Sequence, residues 1–127
     1  MKKITLIFSI LGLTLISLNS CSTTETKEKI PATKTVVENG IATSTFKVWG
    51  NCDMCKETIE NSLKVEGVQK ADWNSESKIM KISYDASKIS LDQIEKNIAS
   101  VGYDNVKYKG NDEAYSSLHE CCQYERK

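Results

Sequence analysis

Thr45-Phe46-Lys47-Val48-Trp49-Gly50-Asn51-Cys52-Asp53-Met54-Cys55-Lys56 joins two periodicities in one short stretch. Phe46 and Val48 alternate with Thr45, Lys47 and Trp49, the period-two pattern of a strand with one buried face. Gly50-Asn51 is a turn signal. The period then lengthens. Cys55, Ile59 and Leu63 recur at i, i+4 and i+8, which predicts a helix over Asp53 to Val65. Lys56, Glu57, Glu60 and Lys64 serve its solvated side, and Gly67 fits its C-terminal stop.

Downstream the same reading continues. Val68 to Trp73 is a second strand, with Ala71 and Trp73 on one face, and Asn74 to Ser77 is a turn. Met80, Ile82 and Tyr84 alternate through a third strand. Ser90, with Gln93 three residues on, has the form of a capping box for a second helix. That helix carries Leu91, Ile94, Ile98 and Val101 as its apolar stripe and ends at Gly102. Tyr103 to Tyr108 reads as a short fourth strand. The order strand, helix, strand, strand, helix, strand predicts an α+β, ferredoxin-like βαββαβ fold, with two helices on one face of a four-stranded antiparallel sheet.

Cys52 and Cys55 stand where the first strand meets the first helix. Two intervening residues let both sulfurs converge on one point. A helix N-terminus carries partial positive charge and free N–H groups, which favour the metal-binding thiolate. Two thiolates without a neighbouring histidine or carboxylate suit a soft ion of low coordination, Cu(I) above all, with Hg(II) open on the same grounds. Structural Zn(II) wants four ligands and this core supplies one pair, so capture of Zn(II) or Cd(II) by the same loop, aided by the C-terminal tail, is another alternative. A Cys-x-x-Cys pair also serves thiol–disulfide oxidoreductases, but no proline follows Pro31 and the chain is short for that fold. A structural disulfide between Cys52 and Cys55 is a further alternative. Lys56 stands where c-type haem attachment requires histidine.

With its position between strand and helix, Trp49-Gly50-Asn51-Cys52-Asp53-Met54-Cys55-Lys56 resembles the metal loop of the heavy-metal-associated domain. The resemblance covers residues 44–110 and extends to Gly67-Val68, Tyr84-Asp85 and Gly102-Tyr103. Copper chaperones, modules of copper-transporting ATPases and periplasmic mercury-binding proteins share the family. The resemblance implies metal exchange through Cys52 and Cys55 with a copper-transporting ATPase or another metal-binding protein, and it places Tyr103 near the metal loop. On composition alone Tyr103 is equally a core aromatic. One departure stands out: no methionine occupies the buried position that the family places before its first loop cysteine.

Outward from the core, the N-terminus has its own logic. Lys2 and Lys3 precede an apolar run from Ile4 to Leu18, the length of a signal segment and short for a membrane span. Leu18-Asn19-Ser20-Cys21 resembles the bacterial lipobox. It implies cleavage after residue 20, lipidation of Cys21 and an extracytoplasmic protein anchored to the membrane of the cell envelope. Residues 21–43, rich in Thr, Glu, Lys and Ala, read as a disordered tether. The chain of 127 residues is long enough for one domain. Its 17 basic and 17 acidic residues give no electrostatic case for nucleic acid.

The tail, residues 111–127, holds Leu118-His119-Glu120-Cys121-Cys122. His119, Cys121 and Cys122 form a candidate second metal site; a vicinal disulfide or simple packing are the alternatives. Asn111-Asp112-Glu113 could open a short helix with Tyr115, Leu118 and Cys122 on one face. A fourth strand running away from the metal loop would carry the tail roughly 20 Å off. Ten helical residues return only about 15 Å, whereas extended they cover about 33 Å. Union of the two cysteine pairs therefore requires an extended tail; otherwise the tail site is separate or intermolecular.

Overall fold

The computed structural model describes residues 33–126. Cys21 and the signal segment 1–20 lie outside the described residues, as does the tether up to residue 32.

Strand β1 (Lys34–Glu38) and strand β2 (Ile41–Lys47) form an antiparallel hairpin. Asn39 and Gly40 between them both have positive φ, 51° and 81°, as a two-residue type I′ turn requires. Among the described residues strand structure is thus already present from Lys34, within the segment read as tether and ahead of Ser44. Every residue of β1 is exposed, so its composition resembles a linker. Backbone pairing holds it, together with the 2.8 Å contact between the Thr35 and Ser44 hydroxyls.

After β2 come helix α1 (Asp53–Asn61), strands β3 (Val68–Trp73) and β4 (Ile79–Asp85), and helix α2 (Leu91–Ser100). The sheet order is β1-β2-β4-β3, antiparallel throughout. Ala42, Phe46, Met80, Ile82, Tyr84 and Trp73 are the buried side of the sheet, and Ile59, Ile94 and Ile98 pack the helices against it. This is the expected ferredoxin-like arrangement. Helix α1 ends four residues early, because Leu63 N–H and Lys64 N–H reach the carbonyls of Glu60 and Asn61, three residues back. Leu63 is buried nonetheless. Ser90 caps α2 as predicted, accepting from Gln93 N–H at 3.2 Å.

The expected fourth strand is reduced to one bridge, Val48 to Asn105. Asn105 is the reason. Its side-chain oxygen accepts from the N–H groups of Lys107 and Tyr108, its own N–H donates to Tyr108 O, and its amide donates to Glu95 O. A side chain that supplies turn hydrogen bonds competes with the strand ladder. The outer edge of β2 is therefore covered in two pieces, β1 along residues 41–45 and Asn105 beside Val48.

Because the chain turns at Asn105, the tail never travels to the far end of the sheet. Gly110 N–H donates to the buried carboxylate of Asp104 at 2.7 Å, and Asn111 N–H donates to Ala99 O at 2.7 Å. Helix α3 (Asp112–Ser116) follows, capped by Asn111, and then a 3-10 turn, Glu120–Cys122. Tyr124 is buried, stacked on Tyr103 with ring centroids 5.7 Å apart. Its hydroxyl accepts from Asp104 N–H and donates to Gly102 O. Arg126 closes the clasp with a 2.9 Å ion pair to Asp104 and a second at 2.6 Å to Asp112.

Candidate metal centre

Cys52 is the N-cap of α1, with extended backbone (φ −136°, ψ 178°), and Cys55 stands three positions on. The two cap each other in the manner of a capping box, with sulfur in place of oxygen. Cys55 N–H faces the Cys52 sulfur, while Cys55 Sγ receives Asn51 N–H at 3.3 Å and Cys52 N–H at 3.5 Å. The orphan Cys55 N–H of the helix start is thereby turned onto the Cys52 sulfur, which stabilises its thiolate. The two sulfurs are 3.5 Å apart.

Trp73 underlies this loop. A Cβ on Gly50 would come within 2.9 Å of the indole, so only glycine fits there. The indole N–H donates to Val48 O at 3.1 Å. The tryptophan thus supports the loop from β3. Lys56 ties the same strand to α1 through Asp72 (2.6 Å), Glu60 (2.7 Å) and the Trp73 carbonyl (2.7 Å).

The tail brings in two more sulfurs. Cys122 is buried, with its Sγ 3.7 Å from that of Cys52. The sulfurs of Cys52, Cys55 and Cys122 lie mutually within 4.8 Å, a triangle able to enclose one soft ion. Cys121 is exposed and stands outside that triangle, 3.7 Å from Cys52 Sγ and 3.9 Å from Cys122 Sγ. His119 Nδ1 and Met54 Sδ are 3.2 and 3.7 Å from the Cys121 sulfur. All four described cysteines are free thiols.

Ionisation differs across the cluster. Partial burial works against a Cys52 thiolate, but Cys55 N–H and the thiols of Cys55, Cys121 and Cys122 outweigh it and hold the group down at about 7. Burial pushes Cys122 far above the usual thiol range. Cys121 is raised too, chiefly by its contact with Cys52. Tyr103 is fully buried, and its hydroxyl makes no hydrogen bond. Burial raises its pKa well above the usual phenol range, and the neighbouring Cys55 and Cys122 sulfurs add to the effect. A buried hydroxyl with no hydrogen bond of ordinary geometry, and with Cys55 and Cys122 as its electrostatic neighbours, is placed to donate once they become thiolates.

Residues 45–104 match the heavy-metal-associated domain. The copper chaperone CopZ of Staphylococcus saprophyticus is 36% identical over 66 residues, covering 50% of this chain and 97% of that protein. The chain belongs to the heavy-metal-associated domain family. The copper chaperone CopZ of Staphylococcus aureus is 37% identical over 57 residues, 44% of this chain and 84% of its own. Among solved structures, oxidized MerP from Ralstonia metallidurans is 33% identical, covering 51% of this chain and 93% of its own, with a TM-score of 0.49.

Within this heavy-metal-associated domain, the two sequence-derived cysteine sites are one cluster, and the expectation that only an extended tail could join them is corrected. The tail contains helical turns and still reaches Cys52, because its starting point is beside the loop. Tyr103 is a core aromatic, and the Cys55 and Cys122 sulfurs are among its electrostatic neighbours. Sequence reasoning missed Trp73 as the loop's support and missed the Asp104–Arg126 clasp. Gly50, inside the loop and directly before Asn51-Cys52, was the available hint for the first. No pattern in the sequence announced the second.

Proposed function

We propose that this protein is a lipid-anchored, extracytoplasmic carrier or scavenger of Cu(I), held by Cys52, Cys55 and Cys122. The observation that carries the reading is the triangle of three thiol sulfurs at the N-terminus of α1. Cu(I) is soft, favours thiolate over oxygen or nitrogen, and accepts two or three such ligands. Both curated relatives above are named copper chaperones, which supports a carrier and not an enzyme. The lipobox-like Leu18-Asn19-Ser20-Cys21 supports the anchor.

Half-buried Cys52, with its low pKa, meets an incoming thiolate first; buried Cys55 and Cys122 release last. Exchange proceeds through a transient extra thiolate, so no bare ion is released. A copper-transporting ATPase or another metal-binding protein is the proposed partner. The third sulfur from the tail shifts the balance toward retention, because a partner must displace three ligands and not two.

Hg(II) is the second reading, favoured by the same triangle. Zn(II) is less well served, since the four sulfurs do not form one mutually close set. The test is Cu(I) competition against a chromophoric chelator, using reduced full-length chain with Cys21→Ser. The Cys52→Ser/Cys55→Ser variant should lose binding, and Cys122→Ser should weaken it. Binding that survives the double variant would sink the assignment. Stronger retention of Hg(II) than of Cu(I), each against a thiol competitor such as glutathione, would move the function to mercury.

A further inference from the structure

The end of the domain that holds the thiol triangle carries more donors than one soft ion takes. Four thiol sulfurs, one imidazole nitrogen and one thioether sulfur converge there. We propose that the centre binds two Cu(I) ions, with the Cys52 thiolate bridging them; the proposal rests on reading the triangle as a Cu(I) site.

The geometry divides the donors into two sets that share Cys52. The inner set is Cys52, Cys55 and Cys122. The outer set is Cys52 and Cys121, with sulfurs 3.7 Å apart, completed by His119 Nδ1 at 3.2 Å and Met54 Sδ at 3.7 Å from Cys121 Sγ. Cys52 Sγ is 3.5 to 3.7 Å from each of the other three thiols, which places it in both sets. Cys121 Sγ reaches Cys52 and Cys122 at 3.7 and 3.9 Å but does not join the mutually close group that contains Cys55, so it lies on the outer side of the cluster. A thiolate sulfur has lone pairs enough for two metal ions.

The donor types fit this division. The inner set is all thiol and mostly buried, while the outer set mixes thiolate, imidazole and thioether at the surface, all suited to Cu(I). Charge does not oppose the second ion. One Cu(I) on the three inner thiolates leaves two negative charges, and a second Cu(I) that displaces the Cys121 proton leaves the same two. The tail therefore does two things: Cys122 completes the first site, and Cys121 with His119 builds the second.

Native mass spectrometry of the reduced, full-length Cys21→Ser chain, titrated with Cu(I) under anaerobic conditions, counts the ions. The monomer should saturate at two, with a copper–copper scattering path in X-ray absorption. His119→Ala/Cys121→Ser should saturate at one and lose that path. Both side chains are at the surface, and His119→Ala alone, which leaves every thiol in place, should weaken retention of the second ion at least tenfold. A monomer that saturates at one ion overturns the second site while leaving the first. So does a double variant that still takes two. A chain that takes no copper removes the first reading along with this one.

Discussion

Replacing Tyr103 by phenylalanine should act in opposite directions on the empty and loaded protein. The ring is fully buried and stacked on Tyr124, and Phe keeps that packing. What it removes is a buried hydroxyl with no hydrogen bond. Burying a hydroxyl unsatisfied costs about 1–3 kcal/mol by mutational data, and nearby polarisable sulfur offsets part of that. We expect Tyr103→Phe to stabilise the metal-free, reduced protein by about 1 kcal/mol. For a domain of this size that raises the urea midpoint by roughly 0.5–1 M. In the loaded state Cys55 and Cys122 are thiolates, and the hydroxyl gains a charge-assisted hydrogen bond with a net worth of about 1 kcal/mol. The two effects add in the binding free energy. Cu(I) affinity should fall by about 2 kcal/mol, roughly thirtyfold. Paired urea curves on the empty protein and chelator competition on the loaded one measure both. A destabilised empty protein would mean that the hydroxyl already has a partner there. A more stable empty protein with undiminished affinity would mean that it does not serve the thiolates. Either result refutes the reasoning.

Three further outcomes follow from the same geometry. In the metal-free protein, iodoacetamide should label Cys52 before Cys121 and Cys122, with a rate that rises with pH through a midpoint near 7, because alkylation follows the thiolate fraction; peptide mapping across pH reads it, and faster labelling of exposed Cys121 would contradict it. Arg126→Ala leaves the buried Asp104 carboxylate without its cation and should cost about 3 kcal/mol, at the lower end for a broken buried pair because Gly110 N–H remains; hydrogen exchange should quicken at residues 119–124 well before the sheet, and copper retention should drop although no ligand has changed. Gly50→Ala drives a methyl to 2.9 Å from the Trp73 ring and should cost about 1–3 kcal/mol, with altered Trp73 fluorescence; an unchanged thermal midpoint would mean that the loop is looser than it looks.

The elements that pack a core were legible. Phe46, Ile59, Met80, Ile82, Ile94 and Ile98 recur at the period of their strand or helix, and all are buried. The cysteine pair at the start of α1 was legible because position and residue type coincide. Strand β1 was not, since it buries none of its side chains and so carries no hydrophobic pattern; its one signal was Asn39-Gly40, a hairpin turn inside a stretch whose composition resembles a linker. The missing fourth strand had a subtler cause. Tyr103 to Tyr108 alternates acceptably, but Asn105 spends its side chain on turn hydrogen bonds that pattern reading cannot anticipate. The error in the tail's route followed from that one, because a chain that turns at Asn105 delivers Cys121 and Cys122 to the loop instead of the opposite end.

Cys52 and Cys122 meet across 70 positions of sequence. A metal ion held by both is therefore a cross-link that closes a ring from the start of α1 to the tail, with β1 and β2 outside it. A ring of that size deprives the unfolded chain of about 4 kcal/mol of entropy, as a disulfide would. Unlike a disulfide, this link opens when a stronger ligand takes the ion. A single proteolytic cut between the two cysteines would then leave a loaded domain in one piece, and the fragments would part only as the copper leaves.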